Sequence, residues 1–153
     1  MKNTTLCYIE KSGAYLMLHR VKKENDENKD KWIGIGGKFE AAESPFDCVR
    51  RECCEEVGAI PENLRYRGLV TFVSDIYGTE YMHLFHAKDE SFVPEGVCDE
   101  GELCWVDKAM IPNLNIWAGD KIFLDLLINE KRFFSLKLVY RGDELTEHVI
   151  EFA

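Results

Sequence analysis

The chain has 153 residues, of which 46% are hydrophobic and 31% charged, and its formal net charge is −9. This length favours one domain, residues 1–153, with a core that needs no disulfide bonds. The acidic balance disfavours binding to nucleic-acid polymers, because that affinity depends on Lys and Arg neutralising phosphates. No apolar run approaches the ~20 residues that cross a bilayer, and the first ten residues lack a signal-peptide pattern. We therefore expect a cytoplasmic protein without a membrane partner.

The six cysteines and four histidines lack the spacing of a zinc site. No CxxC or HExxH motif occurs, and Cys53 and Cys54 are neighbours on a predicted helix, where adjacent side chains point in different directions. We expect reduced thiols with mostly structural roles. The sequence leaves the oligomeric state open.

Apolar runs, turn residues and helical periodicity divide the chain into short elements. In chain order we predict a hairpin at 6–9 and 14–19, a flexible polar loop at 21–31, a glycine-rich segment at 32–39, a helix at 44–57, paired strands at 65–74 and 80–87, a polar loop at 88–101, a strand at 103–106, a helix at 120–129 and a hairpin at 133–140 and 145–152. Ser44 suits the N-cap of the first helix, Pro45 its first turn and Gly58 its end. Strands interspersed with two helices predict an α/β fold with a mixed sheet between helices.

The first predicted helix carries three glutamates close together. At about 100° per residue, Glu52, Glu55 and Glu56 fall within an arc of roughly 100°. They lie beside an apolar stripe made of Phe46, Val49, Cys53 and Val57. Like charges at this spacing destabilise a helix, and a hard divalent cation such as Mg²⁺ would offset the repulsion. On these residues alone, a solvated acidic helix face is an equally good interpretation.

The residues around this helix resemble a known signature. Residues 37–59 read GKFEAAESPFDCVRRECCEEVGA, which is similar to the Nudix pattern G-x5-E-x7-R-E-U-x-E-E-x-G-U, where U is bulky and apolar. Every fixed polar and glycine position matches. Cys53 and Ala59 are small for U positions, and many relatives have glycine near Ala42, but these departures concern packing and a turn. The resemblance implies a Nudix fold and a Mg²⁺-dependent hydrolase that cuts phosphoanhydride bonds, with Mn²⁺ as a possible replacement.

The resemblance also implies metal ligands, namely the Gly37 carbonyl, Glu52, Glu55 and Glu56. Arg51 would pair with Glu43 and fix the loop against the helix, either as part of the catalytic site or as a purely structural pair. Lys38 would lie near the phosphates, unless it is a solvated surface lysine. Glu100 is our candidate general base, because relatives supply a loop glutamate at this point. Asp99 and Glu102 are its rivals, and a solvated acidic loop is the alternative.

Similarity to the MutT-type branch, the 8-oxo-dGTP diphosphatases and chiefly their bacterial members, extends beyond the signature. It rests on Lys31-Trp32-Ile33-Gly34-Ile35-Gly36-Gly37-Lys38, on Trp117-Ala118-Gly119-Asp120 and on Phe133-Phe134-Ser135. Guanine offers two donors on its Watson–Crick edge, which a carboxylate such as Asp120 can accept, while Trp117 offers a stacking surface. A helix N-cap or first-turn acid is an equally good interpretation of Asp120, and a place in the core is the alternative for Trp117.

Three further residues are candidates for the same pocket. Ile33 stands where some relatives have asparagine, which removes a possible hydrogen bond to the base. Phe72 and Met82 can line the pocket or belong to the core.

The leading hypothesis is therefore conversion of 8-oxo-dGTP and water to 8-oxo-dGMP and pyrophosphate, which sanitises the nucleotide pool. One alternative is a Nudix hydrolase of another nucleoside diphosphate derivative, such as ADP-ribose, a dinucleoside polyphosphate or an RNA 5′ end. Another is a nucleotide-binding module without catalysis, and the last is a purely structural domain. Intact Glu52, Glu55 and Glu56 disfavour the silent module.

Overall fold

The computed structural model describes residues 1–22, 24–95 and 101–153. Within them lie eight strands, two α-helices and one 3-10 helix, of which seven strands and both α-helices follow the predicted order. The strands are β1 (Lys2–Lys11), β2 (Ala14–His19), β3 (Trp32–Ile33), β4 (Leu64–Ser74), β5 (Gly78–Lys88), β6 (Glu102–Asp107), β7 (Phe134–Arg141) and β8 (Glu144–Phe152). The helices are α1 (Pro45–Val57), the 3-10 helix Lys108–Asn113 and α2 (Asp120–Asn129). No helix in these ranges is long and apolar enough to span a membrane.

The strands form one mixed sheet. Its order is β3-β2-β1-β5-β4-β7-β8, and β6 pairs with β2. Strand β1 pairs in parallel with β5, and β4 pairs in parallel with β7, whereas the other named pairings are antiparallel. The mixed sheet predicted from the element order is confirmed.

Alternate residues of β1 supply cores on both faces of the sheet, as the two-residue period of a strand requires. Leu6 and Tyr8 belong to a cluster that includes Phe123 and Leu127 of α2. Cys7 and Ile9 belong to a second cluster with Val49, Cys53 and Val57 of α1. The sheet is thus covered by one helix on each face, which confirms the predicted layered fold.

Helix α1 begins and ends with the residues that the sequence indicated. The Ser44 hydroxyl accepts from the Asp47 amide at 3.1 Å, and the Asp47 carboxylate accepts from the Ser44 amide at 3.0 Å. This reciprocal capping box satisfies two amides that lack helical partners. Gly58 ends the helix with φ 74°, a left-handed conformation that glycine adopts without a steric penalty. The glutamates therefore stand on a helix with fixed ends.

Besides β3, a two-residue strand in the segment expected only to be glycine-rich, two features were not predicted. Strand β1 begins at Lys2 rather than residue 6, because its polar first residues pair with β5, which is distant in sequence. The 3-10 helix Lys108–Asn113 follows β6, and the Asp107 carboxylate caps it by accepting from the Ala109 amide at 2.9 Å. Neither feature has hydrophobic periodicity of its own.

Candidate active site

The glycine-rich segment before α1 lies directly against β1. The Thr5 amide donates to the Gly37 carbonyl at 2.9 Å. A Cβ atom on Gly36 would lie 1.9 Å from the Thr5 carbonyl oxygen, and one on Gly37 would lie 2.6 Å from the Glu52 carboxyl group. Gly36 therefore needs glycine, because a side chain would separate this segment from β1, whereas a side chain on Gly37 would displace the Glu52 carboxyl group.

The three glutamates of α1 differ in exposure. Glu56 is buried, and its Oε2 accepts from the Gly36 amide at 2.9 Å. The Glu52 side chain is 13% exposed and lies against Gly37, whereas that of Glu55 is 57% exposed. Glu52 and Glu56 thus approach the backbone at Gly36 and Gly37, and Glu55 faces solvent.

Arg51 joins the loop to the helix. Its Nε and Nη2 donate to the two carboxylate oxygens of Glu43 at 2.7 and 2.9 Å, the bidentate geometry that a guanidinium favours. Its Nη1 donates to Glu52 at 2.9 Å and Glu55 at 3.1 Å. The Arg51 guanidinium lowers the pKa of Glu43 to about 2, and Glu43 in turn raises the pKa of Arg51. The turn before Glu43 contains Ala42 at φ 65°.

The repulsion among the glutamates is partly offset within the chain. Sequence reasoning assigned this task to a divalent cation alone, and that view was incomplete, because Arg51 contacts both Glu52 and Glu55. Over residues 1–22, 24–95 and 101–153, no three His, Cys, Asp or Glu side chains already surround a common point.

The donor atoms fit a hard cation. Glu52 and Glu56 supply carboxylate oxygens, and Gly37 supplies a carbonyl oxygen that accepts from the Thr5 amide at 2.9 Å and, weakly, from the Cys48 thiol at 3.7 Å, a contact that a metal would have to displace. Mg²⁺ prefers such oxygen ligands together with water and substrate phosphate. The close packing of Gly37 on the Glu52 carboxyl group holds two of these ligands side by side.

A cleft of about 1160 Å³ extends from this cluster across the sheet. Its lining includes four residues of the signature region, namely Gly37, Lys38, Arg51 and Glu52. It also includes the candidates for base binding, Ile33, Phe72, Met82, Trp117 and Asp120. One cleft thus brings together most of the residues that the sequence singled out. The lining does not include Glu43, Glu55 or Glu56, all of which the structure describes.

Asp120 and Trp117 line the same cleft from the start of α2 and the segment before it. Asp120 is buried, with 4% exposed, and burial raises the pKa of its carboxyl group to about 8, although a Trp117 backbone hydrogen bond and the charge of Lys31 lower it. The N-cap of α2 is Gly119 rather than Asp120, so the N-cap interpretation of Asp120 is wrong; it lies in the first turn. Trp117 is partly exposed and packs edge-on against Tyr140 with ring centroids 5.5 Å apart.

The remaining candidates occupy varied positions. Ile33 and Phe72 are half-buried and Met82 is buried, so each packs on the core while also lining the cleft. Lys38 is exposed at the cleft, and its carbonyl accepts from Arg51 at 2.9 Å. Glu102 begins β6 and is exposed.

The candidate base Glu100 and its rival Asp99 lie outside the described residues. The role assigned to Glu100 therefore stays a prediction.

Sequence reasoning missed one wall of the cleft, which residues 25–28 and Lys2 form. The Lys2 ammonium contacts Glu27 at 2.9 Å and Glu80 at 3.1 Å, and the Thr4 hydroxyl donates to Glu80 at 2.7 Å. These polar residues have no periodicity and belong to no motif, so nothing in the local sequence indicated that they meet.

Comparison with known proteins agrees with this architecture. The NUDIX domain family matches residues 2–127. An oxidized purine nucleoside triphosphate hydrolase from Danio rerio is 30% identical over 152 residues, which cover 98% of this chain and 94% of that protein. A MutT protein from Bacillus halodurans has a crystal structure with TM-score 0.85, 25% identity and coverage of 99% and 98%.

The NUDIX domain of NrtR from Shewanella oneidensis, solved with ADP ribose, has TM-score 0.70, 14% identity and coverage of 84% and 86%, a likeness of fold alone. The signature residues and the fold lead to one conclusion. This chain belongs to the Nudix hydrolase family, whose members hydrolyse pyrophosphate bonds.

Proposed function

We propose that the protein is a Mg²⁺-dependent nucleoside triphosphate pyrophosphohydrolase that converts 8-oxo-dGTP to 8-oxo-dGMP and pyrophosphate. The observation that carries this proposal is the single cleft lined by both Glu52 and Asp120. A nucleotide has a charged phosphate end and a planar base end, and the lining of the cleft combines oxygen ligands with an indole and a buried carboxyl group. The name of the Danio rerio relative, an oxidized purine nucleoside triphosphate hydrolase, supports the same substrate class, and hydrolysis of such a substrate would serve nucleotide-pool sanitising and DNA repair.

The phosphate end is organised by the residues of the signature. Glu52, Glu56 and the Gly37 carbonyl would hold the metal, with Glu55 joining them on the exposed side. When bound, Mg²⁺ supplies neutralisation of phosphate charge and Lewis-acid activation of water. Arg51, locked by Glu43, keeps the loop against α1 and so keeps Gly37 beside Glu52.

Two residues complete the phosphate end. Exposed Lys38 would contact phosphate at the cleft. Glu100 is the proposed general base, which would accept the proton of the attacking water.

The base end is organised by Asp120 and Trp117. An ionised Asp120 can accept from both donors on the guanine edge, whereas a protonated Asp120 can accept from one and donate to an acceptor. Because its pKa is about 8, the protonated form dominates at neutral pH. Trp117 would supply a ring surface against the base, and Ile33, Phe72 and Met82 would supply apolar walls.

Hydrolysis of another nucleoside diphosphate derivative is the second candidate. The fold is shared with the NrtR domain that was solved with ADP ribose, and Ile33 offers no hydrogen bond to a base. The same observation is compatible with a nucleotide-binding module without catalysis, but such a module would not need an intact glutamate cluster.

The test is a substrate panel with product identification. Purified protein with Mg²⁺ should release pyrophosphate from 8-oxo-dGTP faster than from dGTP, and should act more slowly on ADP-ribose. Glu56→Gln and Glu55→Gln should each lose orders of magnitude in kcat, because a metal-dependent step is lost. Glu147→Gln, on exposed β8, is the matched control and should keep full activity.

Equal rates on 8-oxo-dGTP and dGTP would reject selectivity for the oxidised base. Turnover of ADP-ribose alone would favour the second candidate. No turnover of any nucleotide would favour the silent module.

A further inference from the structure

Two residues of the loop between β2 and β3 grip the indole of Trp117. The indole Nε1–H donates to the Asn28 side-chain oxygen at 2.9 Å, across 89 residues of sequence. The Lys31 ammonium lies 4.7 Å from the centroid of the same ring, within the range of a cation–π contact. We call Asn28 and Lys31 the Trp117 clamp.

The clamp is fixed from behind by the loop itself. Arg20 directly follows β2, and its Nε donates to Asp26 at 2.6 Å, while the other Asp26 oxygen accepts from the Asn28 amide at 3.0 Å. The Arg20 and Asp26 side chains are 13% and 5% exposed, so this pair is shielded from water. The Asn28 side chain is therefore held by a backbone that a shielded ion pair orders.

The same loop places the second residue of the clamp. The Lys31 amide donates to the Asn28 carbonyl at 2.8 Å, and the Lys31 ammonium donates to the Asn115 side chain at 3.1 Å. Asn115 in turn donates to the Asp30 carbonyl at 2.9 Å. The segment before α2 and the loop before β3 are thus tied together at Trp117.

We propose that Asn28 is a positioning residue for the base, which sets the orientation of the Trp117 indole in the cleft. The inference rests on the proposed function, because it assigns the indole to a nucleotide base. Trp117 is partly exposed and lines the cleft with Asp120, so its ring plane decides where a planar ligand can stack. Without the bond at its edge, the indole can rotate about its side-chain torsions, and a bound base loses its fixed partner.

Loss of the hydrogen bond between Asn28 and Trp117 should affect only the binding of the base. Asn28 and the glutamates of α1 lie on separate elements. Weaker binding of the base should therefore raise KM and leave kcat unchanged. A general disturbance of the fold would instead lower kcat and the Tm.

The bond itself is tested by NMR of the indole N–H groups. The chain has three tryptophans and hence three indole signals, and Trp117→Phe identifies the signal of interest. Asn28→Leu should shift the Trp117 N–H proton upfield, because its acceptor is lost. Asn28→Asp keeps an oxygen acceptor and should retain the downfield signal.

The consequence is tested by steady-state kinetics with Mg²⁺ and 8-oxo-dGTP. Asn28→Leu should raise KM about fivefold, as expected if the freed indole occupies the stacking orientation for about one-fifth of the time, with kcat within about twofold of the unaltered protein. Asn28→Asp should restore KM. Asn129→Leu is the matched control, since it removes an amide hydrogen bond of 2.8 Å to Asp125 at the exposed end of α2, and its KM should not change.

The outcomes separate this inference from the function beneath it. If the unaltered protein hydrolyses no nucleotide, the proposed function fails and the inference fails with it. If the unaltered protein hydrolyses 8-oxo-dGTP while Asn28→Leu has the same KM, or while Asn28→Asp does not restore it, the inference alone is overturned. An unshifted Trp117 signal in Asn28→Leu overturns it as well.

Discussion

Burial of a carboxyl group in a cleft costs free energy of folding, which other interactions in the protein must offset. Asp120 is nearly inaccessible to water, and its surroundings include the Tyr8 and Tyr140 rings as well as the charges of Lys31 and Glu80. Burial disfavours its ionised form, so the pKa of Asp120 rises to about 8. Because such a residue weakens the fold at neutral and alkaline pH, its presence is better explained by ligand recognition than by stability.

Replacement of Asp120 by Asn should remove a pH dependence of stability. Between the unfolded pKa near 4 and the folded pKa of about 8, the folded protein binds a proton that the unfolded chain releases. The free energy of unfolding therefore falls as pH rises, by up to about 1.4 kcal/mol per unit for one group. Urea titrations at pH 5, 6 and 7 measure the free energy of unfolding of both proteins. The value for Asp120→Asn minus that for the unaltered protein should increase from each pH to the next. A constant difference over this range would show that Asp120 does not titrate there.

Helix α2 shows where local sequence reasoning stops. The 3.6-residue period locates the helix, and the capping signals of α1 locate both ends of that helix, because these patterns act over a few residues. The N-terminus of α2 has no side-chain cap; instead the Gly119 amide donates to the hydroxyl of Tyr140, 21 residues away on β7, at 2.7 Å.

The candidate active site also contains residues that a local pattern predicts and residues that it does not. The signature predicted Gly37, Arg51 and Glu52, whereas residues 25–28 and Lys2 meet the cleft only through the parallel and antiparallel pairings of the whole sheet. A motif records which residues share one loop and one helix. The long-range pairings that close the cleft have no local signal.

Loss of the Tyr140 hydroxyl should destabilise the start of α2. In Tyr140→Phe the buried Gly119 amide loses its acceptor, which costs about 1–3 kcal/mol in free energy of unfolding. Urea unfolding monitored by circular dichroism measures the change. Tyr77→Phe, at an exposed turn, is the control and should stay within about 0.5 kcal/mol of the unaltered protein. If Tyr140→Phe were as stable as this control, the hydroxyl would have no capping role.

The charge of the whole molecule conflicts with the charge of its proposed substrate. A chain of net charge −9 repels a triphosphate unless positive charge is present locally. The positive charge of Arg51 is paired with Glu43, Glu52 and Glu55, and that of Lys2 is paired with Glu27 and Glu80. These two positive side chains at the cleft are thus already balanced by carboxylates. A divalent metal at Glu52 and Glu56 would supply the additional positive charge that the phosphates require.

Mg²⁺ should therefore stabilise the folded protein through the α1 glutamates even without nucleotide. A ligand that binds only the folded state adds about 2.7 kcal/mol at 100 times its Kd, so the Tm should rise with Mg²⁺ concentration at constant ionic strength. The rise should disappear in the double variant Glu52→Gln/Glu56→Gln, in which the amide oxygen introduced at position 56 can still accept from the Gly36 amide and preserve the fold. Glu147→Gln should keep it, and Na⁺ at equal ionic strength should not reproduce it. A Tm rise of equal size in the double variant would place the cation elsewhere, and the glutamates of α1 would then be an acidic helix face that Arg51 neutralises.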